Sequence, residues 1–190
     1  MDSKVASGFL GGQLLIAMPG IGDPRFEHSV ILMCSHSPGG AMGIVLNRPA
    51  RDLSAEDLFR QIGIQPGPEA RLPQILMGGP VERGRGFVLH SADYALADTL
   101  RVTEEIALTA SLDILRDLAR GNGPERAFLA LGYAGWGPGQ LEGEIRANGW
   151  LTCPADAELV LGADPEPKWA AALGRLGIEP TMLSRAGGMA

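Results

Sequence analysis

Short apolar runs separated by glycine or proline fill the first half of the chain and restrict its fold more than any other feature. Such runs, bounded by turn residues, are typical of β-strands. They predict strands over 13–18, 28–34, 41–47, 74–78 and 85–90. The segment "LSAEDLFRQIGI" predicts one intervening helix, because Ser54 is a good N-cap and Gly63 a good stop.

The second half mixes strands and single helices. The pattern predicts strands over 99–102, 106–109, 127–133 and 158–161, and helices over 111–120, 140–148 and 166–176. No steady strand–helix alternation builds a parallel sheet, so the order of elements indicates an α+β fold. We expect one domain over residues 1–190, with a loose tail at about 184–190.

Charge and cysteine content narrow the function classes. The net charge is −6 and the pI is near 5.1, which makes direct nucleic acid binding unfavourable. The only two cysteines, Cys34 and Cys153, lie in apolar surroundings typical of reduced thiols. Neither a signal peptide nor a membrane-length apolar run is recognisable. We therefore expect a cytoplasmic protein without a membrane partner.

The loop "GYAGWGPGQLEGEI" has the glycine content of a phosphate-binding turn. Its spacing is G-x-G-x-G, with Glu142 at the third glycine position of a dinucleotide fingerprint, and no P-loop lysine follows. Glu142 and Glu144 at the start of the predicted helix would repel a phosphate. A packing turn is the better interpretation.

Cys34 and His36 are the one pair with metal-ligand character. On a continuing strand their side chains would project from the same face, about 6–7 Å apart. The remaining donors, His28, His90 and Cys153, have no recognised zinc spacing. The sequence predicts no metal site.

The densest polar cluster lies at the ends of adjacent predicted strands. It consists of Asn47, Arg48, Arg83, Arg85 and His90. Such positions commonly hold small ligands, and guanidinium groups can pair with a carboxylate or phosphate.

Glycines flank this polar cluster. Gly78 and Gly79 would allow a backbone to approach closely. In the alternative interpretation, Arg48 and Arg85 pair with acidic side chains such as Glu82 or Glu142 and only fix loops.

Catalytic and partner-binding roles stay open for two aromatic residues. There is no G-x-S-x-G elbow, although His90 with Asp93 or Asp23 is a conceivable acid–base pair. The simpler role for His90 is a strand-end histidine with one hydrogen bond. Trp136 lies between glycines and either caps the core or contacts a partner.

Three long blocks carry a family resemblance: "GQLLIAMPGIGDPRFEHSVILMCSHSPGGAMGIVLNRP", "MGGPVERGRGFVLH" and "LGYAGWGPGQLEGEIRANGWLTCPAD". In order and spacing they resemble the bacterial AlgH/YqgE family of uncharacterised proteins. The resemblance implies an α+β fold whose bifurcated sheet forms a pseudo-barrel with helices packed around it. One departure is Ser35, where the family pattern has an acidic residue.

The resemblance implies no catalytic residues and no cofactor. The best-known family member is described, largely on genetic grounds, as a transcriptional regulator of alginate biosynthesis. We therefore predict a regulatory or adaptor protein that acts through a protein partner or a small anionic ligand. The alternative is a hydrolase-like enzyme with His90 or His36 as base.

The candidate ligand- or partner-binding residues come from the polar cluster and the third block. They are Asn47, Arg48, Gly78, Gly79, Arg85, His90, Trp136, Gln140 and Glu142. We expect the glycines of the third block to bring Trp136, Gln140 and Glu142 against the segment "GGPVERGRGF", with Glu142 near Arg48 and Arg85.

Overall fold

The computed structural model describes residues 9–183, in which nine strands form a curled sheet and α-helices pack on it. The strands are β1 (Gln13–Ala17), β2 (Val30–Ser37), β3 (Gly40–Val45), β4 (Gln74–Met77), β5 (Val81–Ser91), β6 (Leu100–Arg101), β7 (Ile106–Thr109), β8 (Ala127–Trp136) and β9 (Trp150–Pro154). The helices are α1 (Ala55–Gln61), α2 (Leu112–Arg120), α3 (Gln140–Arg146), α4 (Ala157–Leu161) and α5 (Lys168–Arg175). Two 3₁₀ turns, Pro19–Ile21 and Pro24–Phe26, follow β1.

The sheet divides at the long strand β8. The strand order is β6-β7-β5-β8-β3-β2-β1-β9, with antiparallel neighbours throughout. The first part of β8 also pairs in parallel with β4, from Phe128 to Leu131, whereas its last residues, from Ala134 to Trp136, pair with β3. The predicted bifurcated sheet is confirmed.

The two ends of the sheet approach each other. A Cβ at Gly12, just before β1, would lie 3.3 Å from the carbonyl oxygen of Val102, just after β6. Inward-facing side chains of the strands share one core with α4 and α5. The predicted α+β class is confirmed, with the sheet curled into a half-barrel and helices packed on it.

Helices also cover the outer face, which explains why the strands are continuous apolar runs. In β1, Leu14 and Ile16 face the inner core, whereas Leu15 and Ala17 face a second core that contains Leu141 of α3. A third core lies under α1 and α2, against β4, β5 and β8. Because each fully buried leucine or isoleucine contributes about 2 kcal/mol, burial on both faces stabilises these short strands.

Local sequence signals account for most element boundaries. As predicted, Ser54 caps α1, since its Oγ accepts the N–H of Asp57 at 3.1 Å. The strand predicted over 158–161 is wrong: this segment is α4, because the Asp156 carboxylate accepts the N–H of Leu159 and begins a helix. Strand β9 was not predicted. The tail expected at 184–190 lies outside the described residues.

No helix within residues 9–183 has both the length and the apolar content needed to cross a membrane.

Candidate functional site

Two glycines at the end of β4 let the chain cross β8 in close contact. A Cβ at Gly78 would collide with the carbonyl oxygen of Gly132, and a Cβ at Gly79 with the backbone of Tyr133. The backbone they approach is therefore β8 itself. Gly79 also lines a small concavity beside the turn into β5, whereas Gly78 does not line it.

The amide of Asn47 holds the start of β2 to the end of β3. Its Oδ1 accepts the N–H of Val30 at 3.0 Å, and its Nδ2 donates to the carbonyl oxygen of His28 at 2.8 Å. Both ends of the amide are satisfied by backbone, so Asn47 positions the loop before β2. It also lines the larger concavity between this loop and α5.

The guanidinium of Arg48 is only partly satisfied. Its Nη2 donates to the carbonyl oxygen of Glu27 at 2.8 Å and to Oγ of Ser29 at 3.3 Å. Its Nε is buried and finds no acceptor among the described residues. A buried N–H without an acceptor costs about 1–3 kcal/mol, so this donor is an unusual feature of the structure.

Three arginines converge on the small concavity, which we call the arginine pocket. Arg25, Arg48 and Arg83 line it together with Gly79 and other residues, and its volume is about 210 Å³. Among the residues that the structure describes, no acidic side chain lines it. The pocket is therefore a cationic recess in a chain whose net charge is −6.

Arg25 reaches the pocket from the second 3₁₀ turn. The Asp23 carboxylate accepts the backbone N–H of Arg25 at 2.9 Å and the guanidinium Nη2 at 2.8 Å. This hydrogen bonding holds the pKa of Asp23 below its ordinary value. Arg83, in contrast, is exposed, and its side chain has neither an ion pair nor a hydrogen bond to any described residue.

Arg85 lies in a different place from Arg48. Its Nη1 is 3.5 Å from a carboxylate oxygen of Glu82, and its guanidinium lies 4.9 Å from the ring centroid of Phe87. The alternative interpretation, in which Arg48 and Arg85 pair with acidic side chains, therefore holds for Arg85 with Glu82 but not for Arg48, which has no ion pair among the described residues. Arg85 lines an open groove of about 710 Å³ with Tyr133 and Trp136. The single polar cluster of the sequence prediction is divided between two surfaces.

His90 is the second-to-last residue of β5, so its predicted position near a strand end is confirmed, but its side chain is buried inside the sheet. The residue is fully buried in β5, and its Nδ1 donates to the carbonyl oxygen of Ser91 at 2.8 Å. Because Nδ1 carries the proton of the neutral ring, Nε2 accepts a hydrogen bond from the hydroxyl of Thr109, whose Oγ1 is 2.8 Å away. Burial lowers the pKa of His90, which favours the neutral ring. Both ring nitrogens are occupied, so His90 is a poor general base.

Trp136 caps the outer core. It is 6% exposed, and its ring packs near Phe26 and Trp150. The Oε1 of Glu144 accepts both indole N–H groups, at 3.1 Å from Trp136 and 2.9 Å from Trp150. Of the two roles left open for Trp136, core capping is confirmed.

Gln140 completes what we call the tryptophan cluster, which is Trp136, Trp150, Gln140 and Glu144. The Nε2 of Gln140 donates to the second oxygen of Glu144 at 3.0 Å. Its Oε1 accepts the N–H of Gly137 at 3.0 Å. Gln140 thus ties the glycine loop to α3, and this loop is the predicted packing turn.

The placement predicted for Glu142 is wrong. Its carboxylate pairs with Nε2 of His36 at 2.9 Å, and no hydrogen bond or ion pair joins it to Arg48 or Arg85. The Nδ1 of His36 accepts the N–H of Leu10 at 3.0 Å, so Nε2 carries the proton and donates to Glu142. This hydrogen bond lowers the pKa of Glu142.

A β-bulge explains why Cys34 and His36 do not share a face. The register between β2 and β3 shifts between Met33 and Ser35. Cys34 consequently faces the inner core, while His36 turns toward α3. Burial raises the pKa of the Cys34 thiol to about 12. Within residues 9–183 no three His, Cys, Asp or Glu side chains are grouped as metal ligands would be.

Several residues around the concavities were not identified from the sequence. Arg25 comes from a 3₁₀ turn whose only local signal is the Asp23-Pro24 pair before it. His28 and Trp169 come together from segments far apart in the chain, with ring centroids 4.5 Å apart. No local sequence pattern predicts that contact.

Known proteins are similar to almost the whole chain. A family model described as AlgH-like matches residues 14–181. A UPF0301 protein of Rhodospirillum rubrum is 54% identical over 183 residues, which cover 96% of this chain and 95% of the relative. A UPF0301 protein of Rhodopseudomonas palustris is 55% identical over an alignment of 197 positions, which covers 100% of this chain and 92% of the relative.

Solved structures agree with the fold. The solution structure of the AlgH protein from Pseudomonas aeruginosa superposes with a TM-score of 0.78 and 40% identity, over 93% of each chain. The crystal structure of a Corynebacterium diphtheriae protein gives a TM-score of 0.71 at 22% identity, over 92% of this chain and 89% of that one. The second likeness concerns the fold alone.

Proposed function

The chain belongs to the AlgH-like family, and from this premise we propose that it is a non-catalytic regulatory or adaptor protein that binds a small anionic ligand in the arginine pocket. The observation that carries the proposal is the buried Nε of Arg48, which finds no acceptor among the described residues. In this proposal an anionic oxygen bound against Arg48 supplies the acceptor for that N–H, and charge-assisted hydrogen bonds of this kind are stronger than neutral ones.

The charges around the pocket match a doubly charged anion. Arg25, Arg48 and Arg83 contribute three positive charges, and the Asp23 carboxylate bound to Arg25 offsets one of them. Two positive charges remain for a ligand. A volume of about 210 Å³ is below the roughly 300 Å³ of an ordinary small-molecule site, so it suits an anionic group and not a large molecule.

The surroundings of the histidines favour binding over hydrolysis. His90 has both ring nitrogens hydrogen-bonded inside the sheet, and His36 is held between Leu10 and Glu142. Either ring would have to break a hydrogen bond to accept a substrate proton. Neither residue lines the arginine pocket.

Direct DNA binding remains disfavoured by the net charge of −6. In this proposal the signal passed to a protein partner is occupancy of the pocket. Arg25 lies on the second 3₁₀ turn and Arg83 on the exposed first part of β5. A ligand bound between these two surface segments changes the surface that a partner contacts.

The test is a calorimetric titration of inorganic phosphate into wild-type protein and two alanine variants. Arg83→Ala removes a pocket arginine, whereas Arg85→Ala removes an exposed arginine two residues along the same strand that lies outside the pocket. We expect Arg83→Ala to weaken phosphate binding about 10-fold or more, and Arg85→Ala to leave it within about twofold. The reverse order of effects, or no binding by wild type, would overturn the proposal.

A further inference from the structure

A second concavity adjoins the arginine pocket. It has a volume of about 680 Å³ and lies between the loop before β2, the end of β3 and α5. Arg48 and Met77 line both concavities. A ligand held by Arg48 therefore has room beside it for a body larger than its anionic group.

Aromatic side chains fixed in place form one side of this second concavity. The ring of His28 meets Trp169 edge to face, with centroids 4.5 Å apart, and Nε1 of Trp169 donates to the carbonyl oxygen of Ala17 at 3.0 Å. His28 has a φ of 57°, a conformation that costs a non-glycine residue free energy. The Asn47 side chain holds the His28 carbonyl at 2.8 Å and so maintains this strained position.

Two further residues of the lining, Met77 and Pro49, offer contacts to a flat ring. Met77 supplies a polarisable thioether and Pro49 an apolar surface. Besides Arg48, three charged residues line the concavity: Glu166 is paired with Arg51 at 3.0 Å, and the backbone carbonyl of Glu27 accepts a hydrogen bond from Arg48. The concavity thus has aromatic and apolar groups on part of its wall, charged groups on the rest, and Arg48 where it adjoins the arginine pocket.

We infer that the ligand is a phosphate monoester of an aromatic compound, with its phosphate in the arginine pocket and its ring beside His28. The inference rests on the proposed function and names its ligand class. The two positive charges left at the pocket match a phosphate dianion better than a single carboxylate. The ring gains contacts with His28 and Met77 that inorganic phosphate does not make.

The experiment compares phenyl phosphate, inorganic phosphate and benzoate by calorimetry on wild-type protein and on the His28→Gly variant. Glycine adopts a positive φ without strain, so this variant removes the ring and keeps the backbone. We expect wild type to bind phenyl phosphate about 10-fold more tightly than inorganic phosphate. His28→Gly is expected to lose most of that difference and to bind inorganic phosphate unchanged.

The possible failures are distinguishable. Equal affinity for phenyl phosphate and inorganic phosphate would overturn this inference and leave the proposed function intact. Benzoate bound as tightly as phenyl phosphate would overturn the assignment of the head group. An advantage of phenyl phosphate that survives in His28→Gly would place the ring elsewhere. Binding of none of the three would overturn the proposed function itself.

Discussion

The tryptophan cluster and the arginine pocket both draw residues from the blocks that mark the family, but they treat their polar groups in opposite ways. In the tryptophan cluster, Glu144 accepts the indole N–H groups of Trp136 and Trp150 and a third hydrogen bond from Gln140. In the arginine pocket, Arg48 keeps a buried N–H without an acceptor, and Arg83 has no partner among the described residues. Complete hydrogen bonding indicates a structural role, whereas unmet donors around a recess indicate a ligand.

Gly79 gives the largest expected effect, because it belongs to both the crossing of β8 and the arginine pocket. A Cβ there collides with the backbone of Tyr133, so we expect Gly79→Ala to lose more than about 4 kcal/mol of unfolding free energy or not to fold. Gly84→Ala is the control, since no atom of the described residues other than its chain neighbours lies within 4 Å of its added Cβ. Urea denaturation of both variants measures the difference. Equal stability of the two would contradict the packing role of Gly79.

Glu144 tests the tryptophan cluster alone. Glu144→Ala leaves two indole N–H donors without their acceptor, so we expect a loss of about 3 kcal/mol in urea denaturation followed by tryptophan fluorescence. Glu144→Gln retains one carbonyl oxygen and should lose less. If Glu144→Ala unfolds within about 0.5 kcal/mol of wild type, the cluster does not stabilise the fold as described.

Lys168 is a buried cation outside the proposed binding site, so its charge should affect stability and not ligand binding. It is 2% exposed, donates to the carbonyl oxygen of Val160 at 2.8 Å and lies 4.6 Å from the ring centroid of Phe128, but it lines neither the arginine pocket nor the concavity beside it. Burial lowers the pKa of Lys168 from 10.5 to about 8. The unfolded chain therefore holds the lysine proton more tightly than the folded chain does, and folding becomes more favourable as pH rises through 8.

The measurement is the unfolding free energy at pH 7 and pH 9 for wild type and Lys168→Met. Relative to Lys168→Met, wild type should gain about 1.4 kcal/mol between the two pH values. The raised pKa of the Cys34 thiol opposes this gain in both proteins, so it cancels in the comparison. Parallel pH profiles would show that Lys168 titrates normally.

Arg83 gives the smallest expected change in stability. Because its side chain is exposed and unpaired among the described residues, Arg83→Ala should alter the unfolding free energy by less than about 0.5 kcal/mol in urea. The same variant is expected to lose phosphate binding. Substitutions in the tryptophan cluster should thus change stability, whereas this substitution in the arginine pocket should change binding. A loss of several kcal/mol would instead assign Arg83 a structural role.

Local patterns predicted the elements well where one segment carries the whole signal. Ser54 with the apolar residues after it predicted α1, and the run in β1 predicted that strand within one residue. The segment 158–161 failed because a short apolar run does not distinguish a strand from a buried helix, and the cap at Asp156 decided the outcome. β9 depends on pairing with β1, which lies more than 130 residues earlier.

The site was harder to predict, because its contacts join distant segments. The sequence prediction named Arg48, Arg83 and Gly79 but grouped them with Arg85 and His90, which the sheet places elsewhere. Glu142 pairs with a histidine 106 residues away, across a bulge that reverses the faces of β2. Which polar groups are left unsatisfied depends on such long-range packing and not on spacing along the chain.

The most direct test of the central claim is the Arg48 Nε–H resonance, followed by ¹H–¹⁵N NMR while phosphate is added to wild-type protein. We predict that this resonance shifts in a saturable manner and exchanges more slowly with solvent, since the bound anion gives the N–H its acceptor. Arg85 should show no comparable shift. Saturation with phosphate that leaves the Arg48 Nε–H unchanged would contradict the account.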